Sequence, residues 1–229
     1  MPRWRKEGKS LPVPHSWDLT PKQAVELQKQ LRGQVRTDLP SKPVSRVAGL
    51  DVAYIRELGE SVATVVVLSY PDLGIVESAV SRSATPFPYV PGLLSFREIP
   101  PLLKALGELS ATPDLILVDG HGWAHPRRFG IACHLGLWLQ SPTIGVGKSR
   151  LCGRFSEPGI QKGELSDLTH REEIIGKVLR TRAGVKPIFV SVGYGLPLDS
   201  CVRWVLGCSP RFRIPEPIRQ AHNLAANRK

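Results

Sequence analysis

Three strand-like runs open the ordered pattern of this chain: RVAGLDVAY (46–54), SVATVVVLS (61–69) and GIVESAVSR (74–82). Each is short, apolar and rich in Val or Ala, and the turns between them are brief and marked by Gly59, Pro71, Asp72 and Gly74. Such close spacing predicts antiparallel neighbours. Upstream, Thr20-Pro21 is a helix start, with a hydroxyl N-cap before Pro at the first helical position, and the helix is expected to run to about Val35. A Pro-interrupted linker, TDLPSKPVS (37–45), follows it, and residues 1–18 read as an irregular arm. From 96 the pattern turns helical in FREIPPLLKALGEL, with the double Pro placed near the first turn. A strand at 114–118, a Gly-rich loop at 119–128, a helix at 129–140 and a strand at 142–147 come next. Further strands are expected at 173–181 and 187–192, and helices at 197–206 and 216–227. Three antiparallel strands followed by helix–strand alternation predict an α/β chain with a mixed sheet flanked by helices. No repeat or low-complexity tract divides it, so residues 1–229 read as a single domain.

Three acidic residues interrupt this apolar pattern. Asp51 lies inside the first strand, Asp119 ends the strand at 114–118, and Glu98 opens the helix that follows PYVPGLLSFRE (88–98). A carboxylate in an apolar run is costly unless something neutralises it. Strands of one sheet bring their ends together, and a divalent cation held by converging carboxylates would remove the cost. The simpler alternative makes each a surface carboxylate or a helix cap, and it fits Glu98 better than Asp51 or Asp119. The residues alone leave both readings open.

Composition sharpens the choice. The 31 Lys and Arg against 20 Asp and Glu give a net charge of +11, which favours anionic partners such as nucleic acid. An acidic centre in a basic protein fits a metal-dependent enzyme acting on a polyanion. The 41% hydrophobic content supports a core, and no apolar run reaches membrane-span length. The N-terminal MPRWRKEGKSLPVP lacks an apolar segment of the secretory kind, so the cytoplasm is the expected compartment and no membrane partner is expected. Cys133, Cys152, Cys201 and Cys208 are scattered without a CxxC pair, so no structural zinc is expected; Cys133 and Cys201 read as small core residues.

Three further motifs carry candidate chemistry. GVGKSR (145–150) fails as a phosphate-binding P-loop because Pro142 stands where the first Gly is needed. Lys148 reads instead as a lone cation placed after a strand, able to bind phosphate or support an attacking water, with an exposed loop lysine as the plain alternative. In GHGWAHPRR (120–128), Pro126 breaks the helix that would align His121 with His125 as zinc ligands. His125 is the better candidate for a hydrogen bond to phosphate or water, and Arg127 and Arg128 for phosphate contacts. PFPYVPG (86–92) is a Pro-clamped loop whose Tyr89 could wedge into a base stack. On physical grounds alone a structural turn with Tyr89 packed on the core is the simpler reading.

Taken together, RVAGLDVAY, PYVPGLLSFRE, LVDGHGWAHPRRFGIACHLG, PTIGVGKSRLCG, IFVSVG and RIPEPIRQAHNLA resemble the endonuclease V family, in family order from residue 46 to about 225. The resemblance implies a ribonuclease H-like fold and Mg²⁺, with Mn²⁺ as substitute, on Asp51, Glu98 and Asp119. It places His222 as a weaker ligand or holder of a metal-bound water, and Lys148 and His125 beside the scissile phosphate. Pro88, Tyr89, Val90 and Pro91 match the strand-separating wedge, with Val90 where Ile is commoner, and Arg97 and Arg127 fall along the nucleic acid. Gly92, Leu94, Gly120, Gly122, Gly130, Ile131, Gly145 and Gly147 correspond to a base pocket. The implied reaction is metal-dependent hydrolysis of the second phosphodiester bond 3′ to a deaminated adenine in DNA, leaving 3′-hydroxyl and 5′-phosphate, by a DNA-repair enzyme expected to act as a monomer. Alternatives are a junction resolvase or ribonuclease H, a ribonuclease specific for inosine in RNA, or a binder without catalysis.

Overall fold

The computed structural model describes residues 15–40 and 42–227. Most of the arm expected at 1–18 therefore lies outside the described residues. Helix α1 (Pro21–Leu31) starts as its sequence predicts: the Thr20 hydroxyl accepts from the Gln23 amide while the Gln23 side chain accepts from the Thr20 amide. It closes in one 3-10 turn, Arg32–Gln34.

The three leading strands are β1 (Arg46–Ile55), β2 (Glu60–Ser69) and β3 (Ile75–Ala84), paired antiparallel as expected. Helix α2 (Leu94–Gly107) begins two residues earlier than the pattern predicts, so Pro100 and Pro101 lie inside it rather than near its first turn. Then come β4 (Leu115–Asp119), α3 (Ile131–Leu139) and β5 (Thr143–Gly147). After them follow β6 (Leu165–His170), β7 (Glu173–Leu179) and β8 (Ile188–Tyr194), and the chain ends in α4 (Leu198–Gly207) and α5 (Glu216–Ala226). One eight-stranded mixed sheet results, in the order β3-β2-β1-β4-β5-β8-β7-β6. Strands β1, β4 and β5 are mutually parallel, while β8, β7 and β6 extend the far side antiparallel.

Period-two alternation divides the core between the two sheet faces. Ala48, Leu50, Ile116 and Val118 pack with Ile99, Leu102, Ile131 and Leu135 from α2 and α3. Val47, Leu115, Leu117, Ile144 and Val146 pack with Cys201, Val202, Val205 and Ile218 from α4 and α5. Cys133 and Cys201 are buried, as expected of core thiols. Gly49 is the close-approach point of the second face, since a Cβ there would overlap the backbone of Pro217 and Ile218. Its bare backbone lets α5 settle directly on β1. Among the described residues β6 is the one strand that the pattern did not predict. Among the described residues no helix is long and apolar enough to cross a membrane.

Candidate active site

Sheet register places the first two carboxylates. Leu50 of β1 pairs in parallel with Val118 of β4, so the next residues, Asp51 and Asp119, stand side by side. Both belong to the odd-numbered series that faces α4 and α5, whose inward members include Val47, Leu115 and Leu117. The close seat of α5 at Gly49 brings His222 to the same edge, where its Nδ1 lies 3.1 Å from Asp51 Oδ2. Lys148 is the first residue after β5, and its ammonium pairs with Asp119 Oδ2. A cavity of about 350 Å³ is bounded by Asp51, Lys148 and His222.

Glu98 approaches from α2 on the opposite face. Burial pushes its carboxyl up to about 8, and the charges of Asp51 and Asp119 push the same way. A hydrogen bond of 2.8 Å from the Tyr54 hydroxyl and the nearby Arg97 pull it back. Asp119 is also raised, chiefly by burial, with Lys148 opposing and Asp51 adding to the shift. The three carboxylates therefore crowd one another electrostatically. Each meanwhile has its own partner: His222 for Asp51, Tyr54 for Glu98 and Lys148 for Asp119. Among the described residues no three His, Cys, Asp or Glu side chains are drawn into a group that could hold an ion as they stand. The donor chemistry nonetheless fits a hard divalent cation, since the mutual repulsion of carboxylate oxygens is what such an ion relieves.

The second feature is the loop Pro86–Gly92. Tyr89 is 74% exposed while Phe87 is buried, so the tyrosine does not pack on the core. Both ends of the loop are tied down. Arg97 Nη1 donates to the Phe87 carbonyl at 2.7 Å. At the other end the Gly92 carbonyl meets Gln28 Nε2 at 3.1 Å, His125 Nε2 at 3.0 Å and Arg127 Nη2 at 2.7 Å. Arg127 Nε also donates to Gln28 Oε1 at 2.5 Å. Gly92 itself needs its positive φ of 79°.

This arrangement changes four expected roles. His125 is 2% exposed, and its second ring nitrogen accepts from the Arg127 amide at 3.2 Å. One nitrogen is spent on the Gly92 carbonyl of the loop and the other on the Arg127 amide, so neither is offered to a phosphate, and burial, with Arg127 next, lowers its pKa to about 4. Arg127 is bound inward to Gln28 and Gly92. Arg128 is buried, and its guanidinium goes to Glu173, the His125 carbonyl and His170, which closes it to a phosphate. Arg97 likewise points inward, its guanidinium 4.3 Å from the centre of the Tyr54 ring.

The expected base-pocket residues separate into two groups. Gly120, with Ile131 and Leu94 against the position a side chain would take, lies next to Asp119. At Gly122, Gly130 and Gly145 that position is filled by backbone of Val192, His121 and Gly122, and at Gly147 by the His121 ring. On that side these glycines serve close packing of the protein against itself. Gln28 and Tyr54 escaped the sequence reading. Gln28 left a faint signal, a polar residue in the stripe Ala24, Gln28, Leu31 that α1 buries.

Comparisons with known proteins bear on the family and the fold. The family model of endonuclease V matches residues 27–223. An endonuclease V from Gloeobacter violaceus is 55% identical over 213 residues, covering 91% of this chain and 86% of the relative. The crystal structure of endonuclease V from Streptomyces avermitilis superposes with a TM-score of 0.89 at 43% identity, covering 96% of this chain and 97% of that one. Ciona intestinalis endonuclease V, solved with a 24mer DNA containing an inosine followed by a ribo-adenosine, superposes at 0.80 with 32% identity, covering 90% of this chain and 96% of that one. The fold is ribonuclease H-like, and the chain belongs to the endonuclease V family of nucleases, which are hydrolases.

Proposed function

We propose that this chain is a Mg²⁺-dependent DNA-repair endonuclease, with Mn²⁺ as a substitute, that recognises deaminated adenine. It hydrolyses the second phosphodiester bond 3′ to the inosine and leaves 3′-hydroxyl and 5′-phosphate ends. The observation that carries this reading is the electrostatic crowding of Asp51, Glu98 and Asp119 about the central strands β1 and β4, within a protein of net charge +11. The Ciona relative bound to inosine-containing DNA supports the substrate class.

Asp51, Glu98 and Asp119 would hold the metal, which when bound supplies Lewis-acid charge to the phosphate and activates water. Lys148 is the fixed cation of the site. Beside Asp119 it offsets negative charge as it grows on the phosphoryl oxygens. His222 braces the Asp51 carboxylate from α5. Tyr89 is the exposed aromatic that fills the gap in a base stack when the lesion is extruded. His125 and Arg127 act on the nucleic acid through the loop that they hold. Gly120, Leu94 and Ile131 form the candidate wall of the base pocket.

The test is cleavage of a duplex with one inosine, an unmodified duplex and an inosine-containing RNA, each with Mg²⁺, Mn²⁺ or EDTA. One nick at the second bond 3′ to the inosine, ligatable at its ends and absent in EDTA, is expected. Equal cutting of the unmodified duplex, or cutting in EDTA, overturns the reading, and preference for the RNA would move the substrate to inosine RNA.

A further inference from the structure

Tyr54 stands in the wall between two open spaces. On one side is the cavity bounded by Asp51, Lys148 and His222. On the other is a groove of about 720 Å³ beneath the Pro-clamped loop, bounded by Pro88, Tyr89 and Arg97. Tyr54 and Arg56 border both.

A continuous line of short contacts crosses that wall. The Phe87 carbonyl, in the loop, accepts from Arg97 Nη1 at 2.7 Å. The Arg97 guanidinium covers the Tyr54 ring, 4.3 Å from its centre. The Tyr54 hydroxyl donates to Glu98 Oε1 at 2.8 Å. Among the described residues Arg97 Nε is buried without a hydrogen-bond partner, so the guanidinium is held chiefly by the loop carbonyl and the ring. Phe87 is buried, whereas Tyr89 two residues on is exposed. Force on Tyr89 therefore reaches the Phe87 carbonyl through a short, Pro-stiffened backbone. A hydroxyl bonded to one carboxylate oxygen favours an orientation that keeps the hydrogen near the carboxylate plane, so a shift of Tyr54 would bear on how Glu98 is turned.

We propose that Tyr54 and Arg97 form a strut that joins the loop to Glu98, so that wedging Tyr89 into a base stack sets the orientation of the Glu98 carboxylate. Both are positioning residues, and the inference rests on the metal-dependent, base-extruding reading above. It gives the enzyme a way to adjust its acidic centre when the loop is seated on a distorted duplex. A double-mutant cycle measures such coupling directly.

Single-turnover rates on inosine duplex are measured for wild type, Tyr54→Phe, Tyr89→Ala and the double variant. If the strut transmits, the double variant should lose at least about fivefold less than the product of the single losses, because neighbouring, coupled sites are not additive. Arg97→Lys keeps the charge but cannot both donate to Phe87 and cover the ring, and it should couple to Tyr89→Ala in the same way. Losses that multiply to within about twofold overturn the strut. A second readout needs no nucleic acid: Mn²⁺ titrated into the free protein should bind roughly tenfold more weakly to Tyr54→Phe, as expected when a group orienting a ligand is removed. Wild-type Mn²⁺ affinity in that variant shows that Tyr54 does not position Glu98 and also overturns the proposal. A wild type that leaves inosine duplexes uncut refutes the proposed function itself, while the Mn²⁺ titration still judges Tyr54.

Discussion

The two working parts of this molecule are positioned by different means. Asp51 and Asp119 are set by strand register: two parallel strands, each packed on both faces, pair as far as Leu50 and Val118 and so carry the next residues, the two carboxylates, side by side. The loop bearing Tyr89 has no ladder of its own. It is held at Phe87 by one guanidinium and at Gly92 by three side chains that converge on a single carbonyl. The first arrangement draws its rigidity from the whole core, and the second from a handful of hydrogen bonds. Chemistry in the first should be lost by removing charge without disturbing the fold. Function in the second should be lost by loosening the loop while the charges of the acidic centre stay in place.

The largest effects should come from the acidic centre. Asp51→Asn or Asp119→Asn keeps side-chain shape but removes the charge that holds the ion, and single-turnover cleavage should fall by a factor on the order of 10³, several kcal/mol of transition-state stabilisation. Thermal melting should stay at or above the wild-type value, because one member of a repelling set has been neutralised. Near-normal turnover would sink the metal assignment, and a large drop in melting temperature would show that the fold depends on these charges. Gly49→Ala tests the support of the same centre. The new methyl meets the backbone of Pro217 and Ile218, which cannot swing aside as a flexible side chain would. Overpacking of this kind costs about 1–3 kcal/mol and should push α5, with His222, away from Asp51. Urea melts should show the loss. Full stability in this variant would mean that α5 is free to shift.

What could be read in the sequence follows the same division. Asp51 and Asp119 stood out because each breaks an apolar strand, a conflict that local physics registers at once. Three leading strands and the later alternation were visible as well, since their patterns are long and their turns carry Gly, Pro or Asp. Strand β6 was not, because Leu168 alone among its side chains is buried and its turn to β7 uses Arg171 and Glu172 at φ 55° and 65°. Turns of that kind normally advertise themselves with Asn or Gly. Roles in the loop region were legible only as residue types. His125, Arg127 and Arg128 are what a phosphate site would use, and nothing local reveals that their donors are consumed by Gly92, Gln28 and Glu173, residues from 28 to 173 in the chain. Long-range hydrogen bonds leave no periodic trace.

Smaller effects should separate the loop from the centre. Tyr89→Ala removes an exposed ring, so stability should be unchanged while binding to inosine duplex weakens by about 1–3 kcal/mol, the usual worth of a base–aromatic stack. The loss should shrink on single-stranded inosine, where less must be pried apart. Gln28→Ala acts on the same loop from inside. It removes donors to the Gly92 and Phe129 carbonyls and the acceptor for Arg127, a buried deficit of about 1–3 kcal/mol in folding stability. It should also mimic part of the Tyr89→Ala substrate pattern. Gel-shift affinities on the two substrates, beside urea melts, give both readouts. If Gln28→Ala lowers stability but leaves duplex preference intact, the Gly92 knot is a fold feature with no bearing on the loop.

The last test sets the two regions against each other by pH. The raised Glu98 carboxyl, pushed to about 8, means that the folded protein without metal binds a proton more readily than the unfolded chain. That stability is present at low pH and is lost as pH rises from the ordinary carboxylate range towards 8. His125 has the opposite sign. Its folded value of about 4 lies below the ordinary 6.5, so between those values the unfolded chain takes up a proton that the folded protein refuses. Its contribution is present above pH 6.5 and is lost as pH falls towards 4, at up to about 1.4 kcal/mol per pH unit. His125→Gln can still donate to the Gly92 carbonyl but cannot titrate. In EDTA, urea melts from pH 4.5 to 6.5 should therefore show a more negative dependence of stability on pH in this variant than in wild type, by up to that amount per unit. His15 and His134, whose pKa values are also lowered by burial, keep their shares in both proteins and cancel from the difference. Parallel profiles would mean that His125 titrates alike in the folded and unfolded chains, and that its burial beneath the loop is not the rigid seat described here.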